Sequence, residues 1–314
     1  MQTQFFTLRK DQNGYRPVFP LGNTLGRCPH ACTFCSVKTG KKVTFEEAVA
    51  RFEELLASHC REIDGPYHPV IYNRGNVTNP REFPTELLDH VLNTFNADRR
   101  VSYVSLNSRE QYMTSELLEY LVDKHLSYAI HFIIGIESFS DRAPRVLGKD
   151  TAGELDRAIQ KLKPFNKEYG RQCTGRDYIF GLDVNLVFLP ELYLGPSRRR
   201  QQASFGETGL GFEQDLAKLL EAIDPEVPTE INVHPYAKVD ALPYDDVDLE
   251  VLVRMLPDLA HLVAEHNSAL GAYETHLFVG VEGDGYSTER QRCQIHKWKS
   301  YIDEFNRAGR CQTL

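Results

Sequence analysis

Segments patterned as β-strands alternate with segments patterned as α-helices along most of this 314-residue chain. Strands are predicted at residues 16–21, 69–72, 101–106, 128–136, within 178–189, at 230–233 and at 272–279. Helices are predicted after residue 44 and at residues 85–95, 115–125, 152–162, 213–223, 249–265 and 299–306. This alternation is typical of a parallel sheet whose strands are joined by helices. The sequence therefore predicts an α/β fold.

The first helix has the clearest start signal. Thr44 and Glu47 have the spacing of a capping box, in which each side chain bonds the backbone N–H of the other residue. Apolar residues then recur at helical spacing, at positions 49, 52, 55 and 56.

The most irregular stretch runs from residue 190 to residue 211. It contains Pro196, the arginines at 198–200, and glycines at 195, 206, 209 and 211. This composition predicts a long surface loop. Loops of this length often form lids or binding elements.

Composition excludes several classes of protein. With 41% hydrophobic residues, the chain can bury enough apolar surface to avoid disorder. The net charge of −8 argues against a broad nucleic-acid surface, which would be basic. No apolar run is long enough to cross a membrane, and the N-terminus lacks the apolar run of a signal peptide. We therefore expect a cytoplasmic protein with reduced thiols and no membrane partner.

Three of the seven cysteines lie within eight residues, as Cys28, Cys32 and Cys35. The others, at positions 60, 173, 293 and 311, are far apart. In a reducing compartment such clustering indicates a metal site. Zinc usually takes four ligands, and beyond the nearby His30 the chain offers no second closely spaced pair. An iron–sulfur cubane also normally takes four thiolates, so three would leave one iron open.

The C-x3-C-x2-C spacing, with Phe34 directly before the last cysteine, resembles the signature of the radical S-adenosyl-L-methionine (SAM) superfamily. The resemblance implies that Cys28, Cys32 and Cys35 hold a [4Fe-4S] cluster whose open iron chelates SAM. It implies that one electron cleaves the sulfonium bond, and that a 5′-deoxyadenosyl radical then abstracts hydrogen from the substrate. An electron donor such as flavodoxin or ferredoxin would be a partner.

The resemblance also implies a particular form of the α/β fold. It is a partial (β/α)6 TIM-like barrel at residues 1–240, with the cluster loop at 28–35 just after the first strand. Residues 241–314 would be a C-terminal extension that closes the barrel on the substrate side, within the same compact unit.

Ligands of α/β barrels lie at the carboxyl ends of the strands, so polar residues there are candidates for binding SAM. With Phe34, the predicted contacts are Gly75, Asn76, Ser108, Arg109, Glu137 and Asn185, the last sharing a strand face with Asp183. Each also has a plainer interpretation: an Asn/Gly turn, a surface ion pair of Arg109 with Glu110, an ion pair of Glu137 with Arg142 or Arg145, or a half-solvated strand. No catalytic residue is assigned.

Three stretches, 75–80, 107–110 and 135–138, are similar to the branch that contains the elongator catalytic subunit and archaeosine-synthase-like proteins. The chain departs from elongator-type members in its shorter gap between the first two cysteines and in having no room for an acetyltransferase domain. We therefore expect a small-molecule biosynthetic substrate.

Two alternatives stay open. One is tRNA modification, with residues 198–200 and 297–299 as phosphate contacts. The other, of a different class, is a non-catalytic zinc or iron–sulfur scaffold protein.

Overall fold

The central feature of the fold is a parallel sheet whose strands follow one another in chain order. The computed structural model describes residues 9–11, 14–30, 32, 35, 40–60, 63–149, 151, 153–174, 176–193, 205–236, 247–270, 273–280 and 289–308. Within this part, β1 (Arg9–Asp11) and β2 (Gly14–Arg16) form a short antiparallel pair. The parallel sheet then contains β3 (Val18–Pro20), β4 (Val70–Tyr72), β5 (Tyr103–Asn107), β6 (Ala129–Glu137), β7 (Phe180–Phe188), β8 (Thr229–Pro235) and β9 (Leu277–Val279).

Helices connect successive strands of this sheet, and a last helix follows β9. They are α1 (Phe45–Cys60), α2 (Thr85–Asn96), α3 (Ser115–Asp123), α4 (Ala143–Leu147), α5 (Glu154–Thr174), α6 (Phe205–Ala222), α7 (Leu249–Leu270) and α8 (Glu289–Ala308). Single 3₁₀ turns lie at Glu110–Tyr112 and Pro190–Leu192. Among the described residues, no helix combines the length and apolarity that crossing a bilayer would need.

The α/β prediction is confirmed, and the sheet curls into a partial barrel. It has seven strands, one more than a (β/α)6 unit provides. The predicted capping box is also present. The Thr44 N–H donates to Glu47 Oε2 at 2.9 Å, and the Glu47 N–H donates to Thr44 Oγ1 at 3.2 Å.

The two faces of the sheet differ in chemistry. The outer face packs against the helices through one large apolar core, to which Phe52, Leu87 and Phe132 belong. The inner face instead carries buried polar groups between two small apolar clusters. Because the main apolar core lies outside the sheet, the barrel interior is suited to polar contacts.

Arg16 spans the barrel interior, through an ion pair with β7 and a cation–π contact with β9, the far edge of the sheet. Arg16, the last residue of β2, lies 3.4 Å from Asp183 on β7, and its guanidinium lies 4.9 Å from the centre of the Phe278 ring on β9. His131 Nδ1 lies 3.0 Å from the other oxygen of Asp183. Burial alone would raise the pKa of Asp183, but the hydrogen bond and charge of His131, with the charge of Arg16, lower it to about 2.

A glycine on β7 makes room for this network. A Cβ at Gly181 would lie 2.6 Å from Nε2 of His131, so a larger residue would displace the imidazole. On its other side, the His131 ring stacks on Tyr103 with centroids 4.1 Å apart.

The surface loop predicted for residues 190–211 is wrong in its second half. Residues 194–204, which include Gly195, Pro196 and the three arginines, lie outside the described residues. The glycines at 206, 209 and 211 lie inside α6, which begins at Phe205. Close packing explains the glycine at position 211, because a Cβ there would come within 2.6 Å of the Tyr193 ring. Helix formation here overrides the low intrinsic propensity of glycine.

Helix α5 is also longer than predicted, because Pro164 does not end it. The residues that follow the proline contact the core. Phe165 and Tyr169 pack on it, while the Asn166 side chain accepts the N–H groups of Ile179 and Phe180. These contacts offset the cost of proline in a helix.

We expect Asp183→Asn to destabilise the fold by about 3–5 kcal/mol, because it leaves Arg16 buried without its carboxylate partner. Urea unfolding at pH 7 measures this. The control is Asp123→Asn at the exposed end of α3, which should change stability by less than about 0.5 kcal/mol. Equal effects of the two variants would contradict the role given to the ion pair.

The lowered pKa of Asp183 predicts that the effect of Asp183→Asn on stability depends on pH. A carboxylate with a lowered pKa stabilises the folded state above its unfolded pKa of about 3.9, and this contribution is lost as the pH falls through the folded value. The pKa of Asp183 in the folded protein is about 2. The difference in free energy of unfolding between the wild type and Asp183→Asn should therefore shrink as the pH falls from 4 to 2. A constant difference over this range, in urea unfolding curves, would contradict it.

Candidate functional site

A cavity of about 720 Å³ lies at the carboxyl ends of β3 to β7. This volume is within the usual range of small-molecule and cofactor sites. The described residues that line it are Pro20, Leu21, Gly22, Cys28, His30, Cys32, Cys35, Lys41, Val43, Glu47, Arg51, Tyr72, Arg74, Gly75, Asn76, Asn107, Ser108, Arg109, Gly135, Glu137, Lys149 and Asn185.

The structure brings the sequence-predicted residues together around this one cavity. It is lined by all three clustered cysteines and by Gly75, Asn76, Ser108, Arg109, Glu137 and Asn185. Phe34 lies outside the described residues. The convergence follows from the topology, since the carboxyl ends of neighbouring parallel strands meet at one edge of the sheet. What these residues bind stays a prediction.

The three cysteines face a shared space. Burial raises the pKa of the Cys28 thiol. The backbone N–H of His30 and the charge of Arg109 partly offset this rise in pKa. In the described part of the chain, no three Cys, His, Asp or Glu side chains converge tightly enough to hold one metal ion. A cubane cluster does not require such convergence, because each cysteine binds a different iron atom. A donor set of three thiols around one cavity therefore fits the cluster.

None of the other described cysteines lines this cavity. Cys60 ends α1, Cys173 lies near the end of α5, and Cys293 is exposed on α8. Cys311 is outside the described residues.

A buried carboxylate, Glu82, organises the loops beside the cysteines. Asn23 Nδ2 donates to Glu82 Oε2 at 2.9 Å, and the Asn76 backbone N–H donates to the same oxygen at 3.1 Å. The side-chain amides of Asn76 and Asn79 donate to Oε1 at 2.8 and 2.7 Å. These donors connect the segment between β3 and the cysteines to the turn after β4.

This network explains why residue 75 is glycine. A Cβ at Gly75 would lie 1.8 Å from Glu82 Oε2 and 2.6 Å from Asn23 Nδ2. The glycine therefore makes room for the carboxylate and its donors. Asn76 donates to Glu82 with both its side-chain nitrogen and its backbone N–H, so its position beside the cavity is fixed by this carboxylate.

Arg109 reaches from the end of β5 to the cysteine loop. Its Nη2 lies 3.2 Å from Cys32 Sγ, and its Nη1 lies 3.2 Å from His30 Nδ1. The surface ion pair considered for Arg109 and Glu110 is not the pairing formed, since Glu110 instead binds Arg157 and Lys161 of α5. Burial and the nearby charge of Arg109 lower the pKa of His30.

Glu137 ends β6 in a left-handed backbone conformation, with φ of 67°. Its Oε1 lies 3.1 Å from Lys149 Nζ, and Lys149 also donates to the Gly135 carbonyl. A Cβ at Gly135 would meet Glu137 Oε1 at 2.0 Å, so glycine is needed there too. The prediction of Arg142 or Arg145 as the protein partner of Glu137 is wrong. The backbone reverses through α4, and the residue that reaches Glu137 is Lys149, just after that helix.

Ser108 and Asn185 have partners at the two sides of the cavity. Ser108 Oγ lies 2.6 Å from Thr78 Oγ1, which joins the turns after β4 and β5. Asn185 Oδ1 lies 3.3 Å from His234 Nε2 on β8. Asp183, its neighbour on the same strand face, belongs to the ion pair with Arg16 and does not line the cavity.

The charges around the cavity are unlike those of the whole chain. Among the described residues that line it, five carry cationic side chains and two carry carboxylates, although the chain has a net charge of −8. Two of the cations, Lys41 and Lys149, pair with the lining carboxylates Glu47 and Glu137. Arg74, with a left-handed φ of 60°, holds its guanidinium beside Gly40. The cavity is therefore suited to a ligand with an anionic group.

Sequence reasoning missed several residues of the site. Glu82 and Asn23 gave no signal, because neither ends a strand. Lys149 follows α4, Glu47 was predicted only as part of the capping box, and Lys41 and Arg51 lie before and within the first helix. Their places depend on how loops fold over the sheet edge, which periodicity does not encode.

Comparison with known proteins gives structural likenesses only. No family model matches the sequence, and no curated protein matches it. The structure is similar to the crystal structure of a radical SAM methyltransferase from Sphaerobacter thermophilus, with 16% identity and a TM-score of 0.48, over 85% of this chain and 67% of that one. It is also similar to spore photoproduct lyase complexed with dinucleoside spore photoproduct, with 11% identity and a TM-score of 0.49, over 89% of this chain and 80% of that one. At these identities, the residues of the cavity itself decide its chemistry.

We expect Glu82→Gln to lower the free energy of unfolding by about 1–3 kcal/mol, because an amide NH₂ would face buried N–H donors. Urea denaturation measures the change. Glu119→Gln, at an exposed position of α3, is the matched control and should be neutral within about 0.5 kcal/mol. A neutral Glu82→Gln would show that the carboxylate does not organise these loops.

Proposed function

We propose that this protein is a radical SAM enzyme. Cys28, Cys32 and Cys35 would hold a [4Fe-4S] cluster, and SAM would bind in the same cavity beside it. The observation that carries the proposal is that the three thiols share this cavity with the polar residues at the ends of four successive strands. A scaffold protein would need only the thiols, and would leave that convergence without a purpose.

The chain's own residues supply what the two cofactors need. SAM carries a carboxylate and two cationic centres, and the cavity offers both arginines and carboxylates. Arg74 follows β4 and Glu137 ends β6, so the two charges lie on either side of β5. Asn185 offers a neutral amide at β7, where it can meet adenine or substrate. When bound, the cofactors would supply one-electron cleavage of the SAM sulfonium and a 5′-deoxyadenosyl radical that takes a hydrogen atom from the substrate.

We further propose a small-molecule, biosynthetic substrate and a cytoplasmic setting with a flavodoxin or ferredoxin as electron donor. The acidic chain and the charge pairing on α8 support the small molecule over tRNA. Lys297 binds Glu250 and Lys299 binds Asp303, and neither lysine lines the cavity. The arginines at 198–200 lie outside the described residues, so they add nothing to either view.

Cys32→Ala tests the proposal. Anaerobically purified wild-type protein should be brown, should contain about four iron and four sulfide per chain, and should release 5′-deoxyadenosine from SAM on reduction. Cys32→Ala should lose the 5′-deoxyadenosine and most of the iron, because one of three thiolate ligands is missing. Cys293→Ala, which removes an exposed thiol on α8, should keep both.

Two results would overturn the proposal. Zinc without sulfide in the wild type would favour the scaffold protein. Iron and sulfide without 5′-deoxyadenosine, under a reductant strong enough to bleach the cluster, would favour a non-catalytic iron–sulfur module. Salt-sensitive binding of tRNA by the wild type would instead revive the tRNA substrate.

A further inference from the structure

Four side chains connect the turn after β5 to the cysteine loop. Arg109 contacts Cys32 Sγ and His30 Nδ1, both at 3.2 Å. The far nitrogen of the same ring, His30 Nε2, lies 3.2 Å from the Tyr112 hydroxyl. The turn thus contacts the loop at two residues, His30 and Cys32, and Cys32 is a proposed cluster ligand.

The chemistry of the donors fixes the direction of the bridge. Arginine has only N–H donors, so the sulfur of Cys32 and Nδ1 of His30 must both accept from it. The proton of a neutral His30 then sits on Nε2, where it can donate to the Tyr112 oxygen. The guanidinium of Arg109 is therefore oriented by one acceptor while it donates to the other.

The turn that carries Arg109 is itself anchored. Lys161 Nζ of α5 donates to the Glu110 carbonyl at 2.9 Å, and Arg157 Nε donates to the Glu110 carboxylate at 3.0 Å. The Tyr112 N–H donates to the Arg109 carbonyl at 3.0 Å within the 3₁₀ turn. Arg109 therefore approaches the sulfur from a backbone held by α5, and not from a free loop.

We propose that Arg109 is a positioning residue that raises the reduction potential of the cluster through its hydrogen bond to Cys32. This rests on the proposed function, since it requires a cluster on Cys32. Hydrogen bonds and positive charge at a ligating sulfur stabilise the reduced, more negative cluster. Arg109 thus makes the cluster easier to reduce by the electron donor, independently of any contact with SAM.

The test measures the potential directly. Reconstituted wild type, Arg109→Gln and Arg109→Lys are titrated without SAM, and the reduced cluster is followed by electron paramagnetic resonance. Arg109→Gln should shift the midpoint to a more negative potential, because both the charge and the fork-shaped donor are lost. Arg109→Lys should shift it less in the same direction, because a lysine keeps the charge but not the planar pair of donors.

Arg74→Gln is the matched control. It removes the same charge from the wall of the same cavity, but the Arg74 guanidinium lies beside Gly40. Its shift should be clearly smaller than that of Arg109→Gln. Equal shifts in the two glutamine variants would show that only the net charge of the cavity matters, and would overturn the proposal.

The remaining outcomes separate the two levels of the argument. A cluster that is present in Arg109→Gln with an unchanged midpoint overturns the role of Arg109 and leaves the proposed function intact. A wild type that binds no iron and sulfide overturns the proposed function itself. If Arg109→Gln does not retain a cluster, Arg109→Lys decides the matter, and a wild-type midpoint in that variant contradicts the proposal.

Discussion

The geometry of the cavity depends on one buried carboxylate. Glu82 is removed from water, and an ionised carboxylate in that position is costly unless donors surround it. Asn23, Asn76 and Asn79 supply those donors, and in doing so they hold the approach to the cysteines against the turn after β4. The same demand excludes any side chain at position 75. One electrostatic requirement therefore constrains the path of two loops and the identity of a glycine.

Apolar and polar side chains of the barrel lie on opposite faces of one sheet. Side chains toward the helices form the main core, while the interior carries Arg16, His131 and Asp183. Buried ion pairs contribute little net stability, because desolvation consumes most of the attraction. Their effect here is geometric: Arg16 ties the segment before β3 to β7 through the ion pair and to β9 through its contact with the Phe278 ring, which connects the two edges of the curled sheet. The cavity lies at the other end of these strands and inherits that curvature.

Much of the fold and of the site could be predicted from the sequence, and the successes share one origin. Periodicity identified the strands, and the rule that ligands meet strand ends then selected Gly75, Arg109, Glu137 and Asn185, which all line one cavity. The errors also share an origin, because they come from local propensity overridden by packing. Pro164 and Gly211 are typical of breaks, yet both lie within helices whose later residues contact the core.

Partners of individual side chains could not be predicted. The pairing of Glu137 with Lys149 depends on how the chain turns after β6, and the contact of Arg109 with Cys32 depends on how the cysteine loop folds across β5. Such contacts are set by three-dimensional packing of irregular segments, in which neither a period of two nor one of 3.6 exists.

The chain-order arrangement of the parallel strands has a consequence for assembly. Each new strand pairs with the strand made just before it, so the sheet can grow in the direction in which the ribosome delivers the chain. Every described residue of the cavity wall precedes β8, and Asn185 is the last of them. The described wall of the pocket can thus be complete while β8, β9 and the last two helices are still being synthesised.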